Sequence, residues 1–286
     1  PGVYRLRPDL HYSVDYSWRL DTELVDVYNI SVIGYGATVW VDVPSAWGIG
    51  DITNHANEEG PIQFRTYSGD GACHDISVCG LRILGTRMSG SYVSDGNSFG
   101  VAFRGVRRTL VVGVKCENWS TDGIYIGKSY SDTYSGSDHQ LIGCRCEGNM
   151  RQGLSVVGND RGVVSACYFG NTYGSSFGHG IDLEPNSGIQ YDWTIMGCYF
   201  KDNQRGALNV ISSRRVVFHG NTLDERYTGA TPGAGAIYID GGASGSEVRG
   251  VLIANNTVIA NKAILYVSGD YIEDVDFNGN TCECSG

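Results

Sequence analysis

The sequence has little proline and no long apolar run, and these scarcities exclude several classes of protein. Only 6 of its 286 residues are proline, whereas 41 are glycine. No apolar stretch approaches the roughly 20 residues of a membrane-spanning helix, and no segment carries apolar residues at helical spacing over three turns. The composition therefore favours many short strands joined by tight turns, and it argues against long helices and against a membrane partner.

Basic residues are also in the minority, because 21 Lys and Arg face 31 Asp and Glu, for a net charge of −10. Nucleic-acid binding needs a basic surface, so we expect no nucleic acid as a partner. The nine cysteines are an odd number without a CxxC pair, which is not the pattern of a disulfide framework. We therefore expect free thiols, no metal centre, and assembly in a reducing cytoplasm.

Two strand types recur along the chain about every 28 residues. The first type reads GIYIG, GLSVV, GIDLE, ALNVI, AIYID and ILYVS, and it starts at residues 123, 153, 180, 207, 236 and 264. The second type reads GVKCENW, GCRCEGN, ACYFGNT, GCYFKDN, GNTLDER, NNTVIAN and GNTCECS, and it starts at residues 113, 143, 166, 197, 220, 255 and 279. Looser copies of the second type precede these, in ISVIGYGATVWV and ISVCGLRILG.

A repeat of this length cannot bury a core of its own, so its copies must stack. Stacking of short strands predicts an all-β fold, a single-stranded parallel β-helix of about ten coils. A propeller blade would need about 40 residues, leucine-rich repeats are shorter with a stricter Leu pattern, and a sandwich would show hairpins. We expect residues 1–286 to form one such domain, cut at its N-terminus from a longer chain.

Alignment of the second strand type places most of the cysteines in two inward rows. Cysteine in such a row behaves as a small hydrophobic residue, so core packing explains the thiols. One row is apolar throughout and contains Cys116, Cys146, Phe169, Phe200, Leu223, Val258 and Cys282. The other row contains Cys144, Cys167 and Cys198 and continues as a predicted amide ladder through Asn221, Asn256 and Asn280.

The stretch GHGIDLEPNSG, residues 178 to 188, alternates aliphatic and carboxyl side chains. Alternation with period two predicts a strand that buries Ile181 and Leu183 and turns Asp182 and Glu184 outward. Glycoside hydrolysis uses two carboxyl groups, about 5 to 5.5 Å apart for retention and about 6.5 to 9.5 Å apart for inversion. Alternate strand positions lie about 6.6 Å apart. The pair therefore fits a hydrolase, with a preference for inversion, and mutual repulsion should raise one pKa and keep that group protonated.

The other strands of the first type add aromatic, basic and amide side chains to the same outer face. Aromatic rings stack on sugars, and carboxyl and amide groups bind their hydroxyls, so a long solenoid groove suits a polysaccharide. The alternatives for the carboxyl groups are solvated surface, calcium binding, or ion pairs with the arginines; we expect no cofactor. We predict catalytic roles for Asp182, Glu184, His179 and Asp240, and substrate-binding roles for Tyr125, Arg151, Gln152, Arg205, Asn209, Tyr238 and Asp122.

The opening PGVYRL, the succession GLSVVG, CYFGNT and GHGIDLEPN, and the GNT turns together resemble the pectate-lyase-like right-handed parallel β-helix superfamily. Within it the chain is most similar to bacteriophage tailspike and appendage domains, best over residues 100–286. The resemblance implies a right-handed helix, a homotrimer, and a virion or extracellular protein that binds and cleaves bacterial surface polysaccharide. The DPH signature of alginate epimerases is absent, and so is an evident polygalacturonase-type aspartate motif.

Three functions remain open from the sequence. The first is a polysaccharide hydrolase that uses Asp182 and Glu184. The second is a lyase or epimerase acting on uronic acids, which needs a base such as His179 or a tyrosine and an arginine, Arg151 or Arg205, to neutralise the substrate acid. The third is a glycan-binding or structural spike without catalysis. Unsaturated products would mark the lyase, and new reducing ends without them would mark the hydrolase.

Overall fold

The computed structural model describes residues 2–5, 11–14, 23–41, 62–85, 99–119, 121–129, 133–173, 178–226, 235–241 and 247–284. Within these ranges every regular element is a β-strand. No helix long and apolar enough to cross a membrane occurs among them. Pro1 and Leu6, at the two ends of the PGVYRL motif, lie outside the described residues.

The strands are short and are numbered β1 to β29 in chain order. The first fifteen are Gly2–Arg5, His11–Val14, Glu23–Val25, Tyr28–Ile33, Thr38–Val41, Ile62–Arg65, His74–Cys79, Arg82–Leu84, Val101–Arg104, Arg107–Val112, Lys115–Glu117, Ile124–Gly127, Ser137–Ile142, Arg145–Glu147 and Leu154–Val157. The remaining fourteen are Asp160–Ser165, Tyr168–Gly170, His179–Leu183, Gln190–Met196, Tyr199–Lys201, Gly206–Ile211, Ser213–His219, Thr222–Glu225, Gly235–Asp240, Val248–Ala254, Thr257–Ala260, Ala263–Ser268, Ile272–Asn278 and Thr281–Cys284.

Every third strand belongs to the same sheet, and neighbours within a sheet are parallel. Sheet A runs from β1 to β28 and sheet B from β2 to β29, with ten strands each, while sheet C runs from β3 to β27 with nine. Each coil thus gives one strand to each sheet, which confirms the parallel β-helix of about ten coils. The sequence predicted two strand types, but the structure has three, because the strands of sheet A form a type of their own. The segment ISVIGYGATVWV, predicted as a copy of the second type, joins Tyr28–Ile33 of sheet A to Thr38–Val41 of sheet B.

The two inward rows of the second strand type are confirmed. Cys116 pairs with Cys146, and Cys146 pairs with Phe169, on successive strands of sheet B, and all three side chains are buried. The row stays buried to Val258, whereas Cys282 on the last described coil is exposed. The amide ladder also forms, since the Cys198 N–H donates to the Asn221 Oδ1 over 2.9 Å and the Asn221 N–H donates to the Asn256 Oδ1 over 2.8 Å.

Sheet A carries a ladder of ion pairs that the repeat analysis missed. Near the start of successive strands, the residues with positive φ alternate in charge over six coils: Asp75, Arg108, Asp138, Arg161, Asp192 and Arg215. They form three ion pairs, with Nε–Oδ1 distances of 2.6, 2.7 and 2.5 Å. The arginine partners lower the pKa of each aspartate, that of Asp138 to about 2. Each pair therefore joins two neighbouring coils on the outer face of sheet A.

Candidate functional site

The outer face of sheet C aligns the side chains that the sequence brought together. Strand pairing places Tyr125 beside Ser155, Ser155 beside Asp182, and Asp182 beside Asn209. Tyr238 follows Asn209 on the next coil. The predicted alternation on this strand is confirmed. Ile181 and Leu183 are buried in the core, and Asp182 lies on the opposite face of the strand.

Asp182 is nearly enclosed by its neighbours. The residue is 7 % exposed, and its carboxyl group accepts hydrogen bonds from Gln152 Nε2 over 2.9 Å and from Asn209 Nδ2 over 2.8 Å. Burial, and next the negative charge of Glu184, raise the pKa of Asp182 to about 8, against the opposing effects of the Asn209 hydrogen bond and of the Arg151 charge. Asp182 therefore holds a proton near neutral pH, as a general acid must. Glu184 itself is half-buried at the end of the strand.

Asp122 anchors the neighbouring coil. This fully buried carboxyl group accepts hydrogen bonds from Arg151 Nε over 2.8 Å, from the Gln152 N–H over 3.0 Å and from Ser155 Oγ over 2.9 Å, with a second contact to Arg151 Nη2. Gln152 in turn accepts a hydrogen bond from the His179 N–H at its Oε1 over 2.7 Å. Asp122, Arg151 and Gln152 thus hold the site together, and their contact with substrate stays a prediction.

Tyr125 differs from the exposed ring that the sequence suggested. It is 7 % exposed and stacks on Phe99, with ring centroids 4.3 Å apart. The guanidinium of Arg104 lies 4.6 Å from the Tyr125 ring centroid on the same outer face. Phe99 and Arg104 were missed, although the segment GVAFRG (100–105) matches GIYIGK (123–128) and would have revealed the coil.

Tyr238 and Asp240 lie two coils from Asp182 along the same face. The Tyr238 hydroxyl lies 3.3 Å from Asp240 Oδ2 and 3.1 Å from Ser268 Oγ, and its ring stacks on Tyr266 with centroids 5.1 Å apart. Tyr266 is exposed. This end of sheet C is therefore an accessible aromatic surface, unlike the end that contains Tyr125.

Arg205 is the other arginine that the sequence assigned to substrate binding. It lies at the corner between sheets B and C, where burial and the charge of Arg205 lower the pKa of Lys262 against the opposing charge of Glu225. Glu225 is fully buried and accepts two hydrogen bonds of 2.7 Å from Asn203, and its burial raises its pKa to about 7. The repeat alignment missed this buried cluster, because Glu225 at the end of β23 and Lys262 between β26 and β27 have no recurring residue type at their positions.

Metal binding has no support in the described part of the chain, where no group of three or more His, Cys, Asp or Glu side chains is placed to hold an ion. A broad open depression lies on another face, the outer side of sheet A, and is lined by Asp75, Arg108 and Asp138. Those charges belong to the ion-pair ladder. The outer face of sheet C, with its protonated carboxyl group, is therefore the better candidate site.

Comparison with known proteins agrees with this architecture. Residues 85–258 match the family model described as a right-handed β-helix region. Among curated protein sequences none matches the chain. The structure is similar to pectate lyase Pel9A, at 15% identity and a TM-score of 0.50, over 97% of this chain and 79% of that one. It is also similar to the A-module of the mannuronan C-5 epimerase AlgE6 of Azotobacter vinelandii, at 11% identity and a TM-score of 0.50, over 100% and 90% of the chains. At these identities the similarity establishes the fold alone.

Proposed function

The chain belongs to the right-handed β-helix family, and on that premise we propose that it binds and cleaves a polysaccharide, as a glycoside hydrolase working on the outer face of sheet C. The observation that carries the proposal is the environment of Asp182, whose pKa is raised to about 8 by burial and by the charge of Glu184 two residues away. A carboxyl group that keeps its proton near neutral pH can serve as the acid, and a second carboxyl group two residues away can serve as the base or nucleophile.

In this mechanism Asp182 donates its proton to the glycosidic oxygen as the bond to the leaving sugar breaks. Glu184 then activates the water that attacks the anomeric carbon, or attacks that carbon itself, according to the distance between the two carboxyl groups when substrate is bound. Gln152 and Asn209 orient Asp182 by their two hydrogen bonds. The Oδ1 of Asn209 is buried and has no hydrogen-bond partner among the described residues.

The exposed end of the face supplies the binding surface. The stacked rings of Tyr238 and Tyr266 offer a platform for a pyranose ring two coils from Asp182, at roughly 10 Å for coils about 4.8 Å apart. Asp240 would bind sugar hydroxyls beside this platform. His179 is the first residue of the strand that carries Asp182. A chain substrate lying along the axis would then reach both the platform and the acid.

A uronate lyase or epimerase is the second candidate, and Arg151 weighs against it. That chemistry needs an arginine to neutralise the substrate acid, but Arg151 is bound through two nitrogens to Asp122. In favour of it, His179 begins the strand that carries Asp182, three residues before that carboxyl group. The third candidate, a spike that binds glycan without cleaving it, predicts binding with no product.

The proposed assembly is a homotrimer on a virion or outside a cell. Its support is the outer face of sheet A, where Ile142, Val163 and Met196 are exposed on three successive strands. Burial of these apolar side chains between protomers would remove them from water. Light scattering on the eluting protein measures the mass, and a monomer at micromolar concentration would contradict the trimer.

A glycan array first identifies the polysaccharides that the protein binds, and these are then used as substrates to test the reaction. We expect wild-type protein to release new reducing ends without ultraviolet-absorbing unsaturated products, and both Asp182→Asn and Glu184→Gln to lose this release while still binding. Asp270→Asn, an exposed carboxyl on another part of the chain, is the matched control. Full activity in both variants would refute the assignment, and absorbing products lost in His179→Ala would establish the lyase.

A further inference from the structure

The outer face of sheet B carries an aromatic stack on the opposite side of a coil corner from the candidate site. One row of outward positions contains, in register, Arg82, Lys115, Arg145, Tyr168, Tyr199, Thr222 and Thr257. The row therefore changes along the axis from cations to tyrosines and then to small threonines. Its end cations are paired with carboxyl groups of the neighbouring row, Arg82 with Glu117 at 2.6 Å and Arg145 with Glu147 at 2.5 Å.

The stack is ordered by the strands beneath it. The Arg145 guanidinium lies 3.9 Å from the Tyr168 ring centroid, and Tyr168 stacks on Tyr199 with centroids 5.8 Å apart and planes 15° apart. Gly170 makes room for this arrangement, because a Cβ there would lie 2.7 Å from the Tyr168 hydroxyl. Both rings are thus fixed before any ligand binds, which reduces the entropy that binding must overcome.

The stack ends at Tyr199 with a ring that is 37 % exposed. The next residue in register is Thr222, and the one after it is the exposed Thr257, so no aromatic or long side chain continues the row. Asp224 lies beside the ring, where a hydrogen bond from Arg226, and more weakly one from Tyr199, lower its pKa and keep it ionised. A flat ring with an apolar face would extend the stack over the threonines.

We propose that Tyr199, with Tyr168 behind it and Asp224 at its edge, is a second carbohydrate-binding site, which holds a pyranose ring of a polysaccharide away from the catalytic face. A sugar ring presents an apolar face to the tyrosine and hydroxyls to the exposed Arg226 guanidinium, which the buried Asp224 carboxylate holds in place through both of its oxygens. This proposal rests on the proposed function, because it takes the same polysaccharide to be the substrate.

The site would anchor a long chain and have no part in cleavage, since it carries none of the groups placed on sheet C. Its effect is expected on polymer affinity. Loss of one aromatic contact, worth about 0.5–1.5 kcal/mol, corresponds to roughly two- to twelvefold weaker binding.

The test uses the full chain with Asp182→Asn, so that bound polysaccharide is not cleaved. The probe is an array of bacterial capsular and O-antigen polysaccharides with mannuronan and polygalacturonate added. We expect Tyr199→Ala to bind the strongest probe about two- to twelvefold more weakly, Tyr199→Phe to keep most of the affinity, and Tyr35→Ala, an exposed tyrosine on a distant coil, to change nothing. A double variant with Tyr238→Ala should multiply the two losses, because separate sites add in free energy.

Equal binding by Tyr199→Ala and Tyr35→Ala would overturn the second site and leave the hydrolase proposal standing. Binding to no probe at all would overturn both. If binding depends on Tyr199 but the wild-type chain cleaves nothing, the second site stands and the hydrolase falls. Tyr199→Thr, which continues the threonine row, replaces the alanine variant if the latter melts abnormally, and unchanged binding by it overturns the proposal equally.

Discussion

Replacing Asp182 by Asn should separate the stability of the protein from its activity. The carboxyl group is buried, and its pKa is raised from 3.8 to about 8, first by burial and then by the charge of Glu184. A raised carboxyl pKa means that the folded chain binds the proton more tightly than the unfolded chain does. Stability from this group is therefore greatest below pH 4 and is lost as the pH rises towards 8.

The size of the effect follows from the pKa difference. Between pH 3.8 and pH 7 the free energy of unfolding falls by on the order of 4 kcal/mol, at about 1.4 kcal/mol per pH unit, because Asp182 stays protonated in the folded state only. Asparagine has no proton to gain or lose. The Asn209 amide can turn so that its Oδ1, which has no partner among the described residues, accepts from the new amide. The variant should therefore be more stable than wild type at pH 7 to 8 and similar to it near pH 4.

Urea unfolding of the wild type and of Asp182→Asn at pH 4, 6 and 8 measures this difference. For a chain of this size each kcal/mol moves the melting temperature by about 2 °C, so a calorimeter would resolve it as well. Cleavage should fall by roughly 10²- to 10⁴-fold in the same variant, as expected for a lost general acid. Asp270→Asn, at an exposed position, should change neither quantity. A stability difference that is the same at pH 4 and pH 8 would refute the reasoning about the buried proton.

Three further changes test other parts of the structure. Glu184→Gln removes the charge that helps to raise the pKa of Asp182, so the loss of stability with rising pH, measured by urea unfolding, should end at a lower pH than in wild type; an unchanged curve would mean that the two groups do not interact. Burial lowers the pKa of His139 from 6.5 to about 4, so the folded state resists protonation of this residue. The free energy of unfolding should therefore fall by about 3 kcal/mol as the pH drops from 6.5 to 4. His139→Gln should lessen that fall in urea titrations, and an identical fall in the variant would contradict the argument. Cys146→Asp places a carboxyl group in the buried row, at a cost of several kcal/mol, so cooperative melting should be lost, and wild-type melting would show that the row is not buried.

The repeat register could be predicted from the sequence because equivalent positions in a stacked fold meet the same environment. A side chain that faces the core must be apolar or must hydrogen-bond to the neighbouring coils, so Cys146, Phe169 and Phe200 mark one apolar row without any knowledge of the structure. The same register placed Asp182 between Ser155 and Asn209. Sheet A was not predicted from the repeats, because the position that forms its ion-pair ladder alternates between Asp and Arg and carries no constant residue type.

What only the tertiary structure decided is which outward side chains are covered and which charges are paired. The sequence placed Tyr125 on the outer face, but the packing of Phe99 and Arg104 against it is what buries the ring. Likewise, residues 29 apart in the chain, Asp122 and Arg151, meet because they lie on neighbouring coils. Hydrophobic periodicity in the sequence predicts whether a strand residue points to the core or to the outer face. Burial, desolvation and ion pairing on that face depend on distances between side chains from different coils, and only the folded chain sets those distances.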